Sequence, residues 1–191
     1  MLRQQVPGAN GCCLSLADYI SPVQPAASSD VRNLPPENVL GLFSTSFCEA
    51  DEDSEAEDEE KYGQMLCQTL KDRLAEATAE KLHEDVRRIY WAYAPEERLP
   101  MPELFAAKYR GIRPAVGYPS LPDQSIIFLI DRLLPFSQIG VRLTENGMMQ
   151  PAAAVAGLVL GHPAVRHFAV GRISEEALAD YARRRGVSAD R

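Results

Sequence analysis

No apolar run in this sequence reaches the roughly 18–20 residues that a helix needs to span a bilayer. The opening residues, MLRQQVPGAN, lack the apolar core of a signal peptide. Both absences lead to the expectation of a cytoplasmic protein with no membrane partner. Basic residues are in deficit, 20 against 27 acidic ones, for a net charge of −7. Broad binding to a phosphate backbone needs a basic face, so no nucleic-acid partner is expected. Cysteine is scarce, and Cys12, Cys13, Cys48 and Cys67 form no C-x-x-C pair. The three histidines (His83, His162 and His167) do not cluster with them. No metal is expected, and the thiols read as small buried side chains.

What is present suits one domain over residues 1–191, with 46% hydrophobic residues. Two stretches read as mobile loops. Residues 25–36 are rich in Ala, Ser, Asp and Pro. Residues 49–60, EADEDSEAEDEE, are almost purely acidic, and like charges repel one another into solvent. Acids also suit the approach to a helix N-terminus. A carboxylate metal site is the weaker reading, because no glycine-turned calcium loop accompanies them.

Residues 14–20 predict two helical turns with a serine cap. Residues 38–48 predict a strand, with Gly41 marking a bulge or a close approach. Residues 61–94 carry Met65, Leu66, Leu70, Leu74, Leu82, Val86 and Ile89 at spacings of three and four. They predict one long helix that also bears Arg73, Glu76 and Glu80. Residues 100–108 and 124–134 predict shorter helices, the second capped by Asp123, although residues 126–130 also read as a strand. Residues 141–144, 152–160 and 167–173 alternate in the manner of strands and predict an antiparallel hairpin or meander, reversing at Gly161-His162-Pro163-Ala164. Ser174 caps a last helix that Gly186 stops. The fold class expected is α+β, an antiparallel sheet or meander flanked by long helices.

Residues 109–123 (YRGIRPAVGYPSLPD) fit neither helix nor regular sheet. Three prolines withhold backbone donors, and two glycines allow unusual angles and close approach. An ordered, extended loop is expected. Arg113 offers a planar fork to a carboxylate, and Tyr118 offers a flat face with a polar tip. A small zwitterionic or heterocyclic ligand would suit them; a stiff connector would have the same composition. Glu76, set among alanines, reads either as a surface glutamate or as an acid that small neighbours leave open to a ligand.

From residue 2 onward the chain resembles the activation (reactivation) domain of cobalamin-dependent methionine synthase. The similar stretches run in order. They include Leu16-Ala17-Asp18-Tyr19, Asp72-Arg73-Leu74-Ala75-Glu76-Ala77, Tyr90-Trp91-Ala92-Tyr93-Ala94-Pro95 and Asp180-Tyr181-Ala182-Arg183-Arg184. The most specific is Gly111-Ile112-Arg113-Pro114-Ala115-Val116-Gly117-Tyr118-Pro119. The resemblance implies binding of S-adenosylmethionine and reductive methylation of cob(II)alamin, with an electron from a flavodoxin-type donor. It implies that Arg113 holds the methionyl carboxylate, that Ala115 and Gly117 bring backbone to the ligand, and that Tyr118, Glu76 and His167 complete the site. Sulfonium already activates the methyl group, which accords with the absence of a nucleophile–base pair.

Departures from the pattern are Gln124 for a histidine, Met149-Gln150-Pro151-Ala152 for Met-Trp-Pro-Gly, and His167-Phe168 for two tyrosines. The family domain also starts earlier and runs on further. No Asp-x-His-x-x-Gly cobalamin signature occurs, so the cofactor is expected on a partner chain, a cobalamin-binding methionine synthase subunit. Self-association could supply missing surface. Two readings stand: a module that binds S-adenosylmethionine, or a trimmed scaffold that only docks.

Overall fold

The computed structural model describes residues 1–8, 11–21, 35, 39–47 and 58–187, with backbone alone for 58–60. The expected loops at 25–36 and 49–60 therefore lie outside the described residues, Pro35 and 58–60 excepted.

Strand β4 (Ala154–Val159) is buried at every position. One edge pairs antiparallel with β1 (Gly41–Ser46), from Gly41 opposite Val159 to Ser46 opposite Ala154. The other edge takes up residues 112–116. Ile112 and Leu160 exchange hydrogen bonds of 2.9 and 3.0 Å, Leu158 N donates to Pro114 O at 3.0 Å, and Val116 N donates to Ala156 O at 3.0 Å. Pro114 forfeits the rung its missing N–H would make and still offers its carbonyl. The proline-rich stretch is thus an irregular third strand. Gly41 marks a close approach and no bulge: a Cβ there would lie 3.0 Å from Val159 Cβ.

Side chains alternate across this sheet. Phe43, Ala115, Val155 and Val159 face α1 (Asp58–Asp85). Ile112, Ala156, Leu158 and Leu160 join Ile127 and Ile130 of α3 (Ile126–Leu133) on the other face. Helix α1 meets the sheet through Ala75 and Ala79, continued by His83 and Arg87, all buried and four residues apart. Alanine lets the helix come close enough for Thr45 Oγ1 to donate to Ala75 O at 3.3 Å. Tyr62, Met65, Leu66, Leu70 and Leu74 are exposed. The periodicity therefore located the helix, while the alanine line, not the larger apolar residues, is the face it buries. Helix α1 runs into a π-helical turn, Val86–Tyr90, and ends there, short of the expected residue 94. Trp91 N and Ala92 N both donate to Val86 O, and Ala92 takes a positive φ of 55°.

A short helix α2 (Met101–Phe105) precedes the edge strand. Residues 14–20 hold one 3-10 turn, Leu16–Tyr19, capped by Ser15. Strands β2 (Arg142–Leu143) and β3 (Met149–Gln150) make a separate small ladder. The expected pairing of 152–160 with 167–173 does not form. The second edge of β4 is occupied by 112–116, and Val170 N instead donates to Pro119 O at 2.9 Å. The thiols also differ from expectation. Cys12 and Cys67 are exposed and Cys13 is intermediate, because Cys67 lies on the outer side of α1 and the other two lie in the N-terminal excursion. Cys48 is outside the described residues.

Helix α4 (Glu175–Arg185) is capped by Ser174 and stopped by Gly186 in the left-handed region, as expected. Asp123 ties it down. It accepts from Tyr181 OH at 2.7 Å, from Ser125 N at 2.9 Å, and from Arg185. Burial raises the Asp123 carboxyl, but the hydrogen bonds from Ser125 and Tyr181 outweigh it, so it titrates below its ordinary 3.8. The stabilisation is therefore complete above that value and is lost as pH falls through the lower folded value. Thermal unfolding followed down the acid range should show this loss, and Asp123→Asn should remove that part of the slope.

Candidate functional site

Arg113 projects from the edge strand toward α1. Its Nη2 lies 3.1 Å from Glu80 Oε2 and 3.9 Å from Glu76 Oε2, and the side chain is only 15% exposed. The two glutamates are one helical turn apart, so they share the face that meets the sheet. Arg113 Nε is buried and has no hydrogen-bond partner among the described residues. A guanidinium beside two carboxylates can still receive a further anionic group on its open edge.

Tyr118 reaches the same helix from the far end of the loop. Its hydroxyl donates to Glu76 Oε1 at 2.7 Å. That bond, with burial, raises the Tyr118 hydroxyl above its ordinary range. The chain turns back at Gly117, whose φ of +85° suits glycine. Leu121 N then donates to Tyr118 O at 2.8 Å, and Gly117 N to Leu121 O at 2.9 Å.

The opposite wall is the segment around His167. Ser120 fixes it: Phe168 N donates to Ser120 Oγ at 3.2 Å, and Ser120 Oγ donates to Phe168 O. Burial first, then the Arg113 charge, lowers His167 below its ordinary 6.5, with Glu80 opposing. The imidazole is neutral at neutral pH. Ser120→Ala leaves both Phe168 backbone groups without this partner. It should cost about 1–3 kcal/mol, read as a lower midpoint in thermal or denaturant unfolding.

These groups enclose a cavity of about 470 Å³ lined by Glu76, Tyr109, Arg113, Ala115, Tyr118, Ser120, His167 and Phe168, with Pro114 and Pro119. Five of the six residues expected from the sequence, Glu76, Arg113, Ala115, Tyr118 and His167, are brought together there. Gly117 is not in the wall and shapes the turn behind it. The sequence reading placed Glu80 on the long helix without a role at the site, and it did not single out Tyr109 or Ser120. Glu80 carried a usable signal, four residues from Glu76 on one helix.

The fold and this cavity define an α+β module whose pocket lies between a long helix and an irregular edge strand. The family model "Vitamin B12 dependent methionine synthase, activation domain" matches residues 1–186, and the chain belongs to that family. Among solved structures, the chain is similar to the crystal structure of the MetH reactivation domain bound to AdoHcy, at 44% identity and a TM-score of 0.65. The match covers 69% of this chain and 41% of that one. The arrangement of helices and small antiparallel sheets is that of the reactivation domain. Among the described residues no helix is long and apolar enough to cross a membrane.

Proposed function

We propose that residues 1–191 form one module that binds S-adenosylmethionine in the cavity beside Arg113. Its methyl group would be presented for reductive methylation of an oxidised cobalamin. The observation that carries this reading is the Arg113 guanidinium, nearly buried and lining a cavity of about 470 Å³. That volume falls within the range of small-ligand pockets.

The residues present fit the ligand. Arg113 offers its fork to the methionyl carboxylate. Tyr118 and Phe168 offer flat apolar surface to the adenine, and Glu76 offers an acceptor to hydroxyls or to positive charge. Glu76 and Arg113, with His167 neutral, give the lining one charge of each sign, and Glu80 pairs with Arg113 from outside the lining. A ligand that brings a positive group toward Glu76 and a carboxylate toward Arg113 is complementary to it.

S-adenosylmethionine brings a methyl group already activated by sulfonium, so the work of this chain is to hold, orient and desolvate. The cobalamin would be held outside these 191 residues, on a methionine synthase partner chain, and the electron would come from a flavodoxin-type donor. Calorimetric titration of the purified chain with S-adenosylmethionine tests the proposal. Saturable binding is the expected result. No heat of binding at millimolar ligand would overturn the site, leaving the trimmed scaffold that only docks.

A further inference from the structure

Behind the cavity wall lies a buried charged network that the ligand cannot touch. Arg87 is fully buried, and its Nε donates to Glu97 Oε1 at 2.6 Å. Its guanidinium carbon stands 4.4 Å from the centroid of the Tyr109 ring, which lines the cavity. Arg87 Nη1 and Nη2 are buried with no hydrogen-bond partner among the described residues. One carboxylate and one ring face are therefore what meet this charge.

Buried ion pairs seldom stabilise more than apolar side chains of the same volume would. Stability alone is a poor account of this one, and its neighbours point to geometry. The Tyr109 ring also meets His83 edge-on, at 5.0 Å and 87°. His83 is pushed down to about 2, chiefly by burial and then by Arg87, so its ring is neutral. Tyr109 thus packs against both an imidazole and a guanidinium from one face of the helix. Glu97 also reaches the strand that carries Arg113: its Oε2 accepts from Arg110 N at 3.1 Å. Arg110 Nη1 in turn donates to Tyr93 O at 3.0 Å.

We infer that Arg87 and Glu97 are positioning residues for the ligand cavity. Arg87 sets the plane of Tyr109, and Glu97 sets where the Arg113 strand begins. Neither lines the cavity, yet ligand affinity depends on both. The inference rests on the cavity being the S-adenosyl site, and the test separates the two claims.

Arg87→Met alone would leave Glu97 nearly buried without its counter-charge, so the informative variants are Arg87→Met/Glu97→Gln and Arg87→Lys. Each is followed by thermal unfolding, by calorimetry with S-adenosylmethionine, and by the NMR resonance of Arg113 Nε–Hε without ligand. The folded double variant should shift that resonance and bind about tenfold more weakly, the scale of a desolvated cation–π contact. Arg87→Lys, which keeps charge and loses the planar fork, should fall between it and wild type. A folded double variant with wild-type affinity and an unmoved Arg113 resonance overturns the inference. If the double variant does not fold, Arg87→Lys decides, and wild-type behaviour in it overturns the inference as well. If wild-type protein does not bind the ligand, the site assignment falls. The positioning claim is then decided by the Arg113 resonance alone.

Discussion

Arg113→Ala is expected to abolish measurable binding of S-adenosylmethionine. The arginine is the cation of the cavity, and only 15% of its side chain is exposed. Truncating one partner of a buried, hydrogen-bonded charge pair typically costs about 2–5 kcal/mol of affinity. The substitution also leaves Glu76 in the cavity wall, and Glu80 beside it on α1, without their counter-charge. They would repel the ligand carboxylate that Arg113 is there to receive. The fold should survive: the glutamates are 35% and 28% exposed, so water screens much of the lost ion pair. Arg113→Lys separates charge from shape. It keeps the positive charge, cannot present a fork, and should recover only part of the affinity. Calorimetry with all three proteins reads the result. Wild-type affinity in Arg113→Ala would remove the central residue from the proposal.

Gly157→Ala should be strongly destabilising. Gly157 stands in β4 between Phe43 of β1 and Ala115 of the edge strand. A Cβ there would lie 2.3 Å from Pro114 O, 2.7 Å from Ala115 Cα and 2.9 Å from Phe43 Cε1. Two of these are backbone atoms, which cannot swing aside as a side-chain tip can. The strand must move off β4, and Arg113 moves with it. Overpacking of this kind costs about 1–3 kcal/mol or more. The thermal midpoint should fall by about 2–4 °C for each kcal/mol in a chain of this size. Ligand affinity should fall with it. An unchanged midpoint would show that the edge strand is not seated on β4 as described.

Local signals in the sequence located most of the helices, and non-local ones were out of reach. Helix α1 was legible from spacings of three and four, and α4 from Ser174 and Gly186. The side of α1 that packs was not. Leu66, Leu70 and Leu74 look like a core face, but close approach to a sheet favours Ala75 and Ala79. Residues 167–173 alternate like a strand, yet strand pairing depends on which edge is free. Pro114 made residues 109–123 look unfit for a sheet, while its carbonyl and the N–H of Val116 serve the ladder well. At the site, Arg113 and Tyr118 were legible from the loop's own chemistry and from family resemblance. Glu80 stands one turn along the same helix face as Glu76, but its ion pair depends on a residue 33 positions away. Tyr109 acquires its role only once Arg87 and His83 fold beside it.

The edge strand has a consequence for the life of the protein. The hydrogen-bond ladder that seats Arg113 also holds together the sheet whose two faces pack against α1 and α3. A ligand held there resists separation of the whole sheet, so occupancy and cohesion rise together. By mass action, each tenfold of free ligand above its dissociation constant adds about 1.4 kcal/mol to the folded state. On the proposed function, the abundance of this protein in a cell would follow its methyl donor. Starved of that donor, the chain would open more often and be degraded sooner.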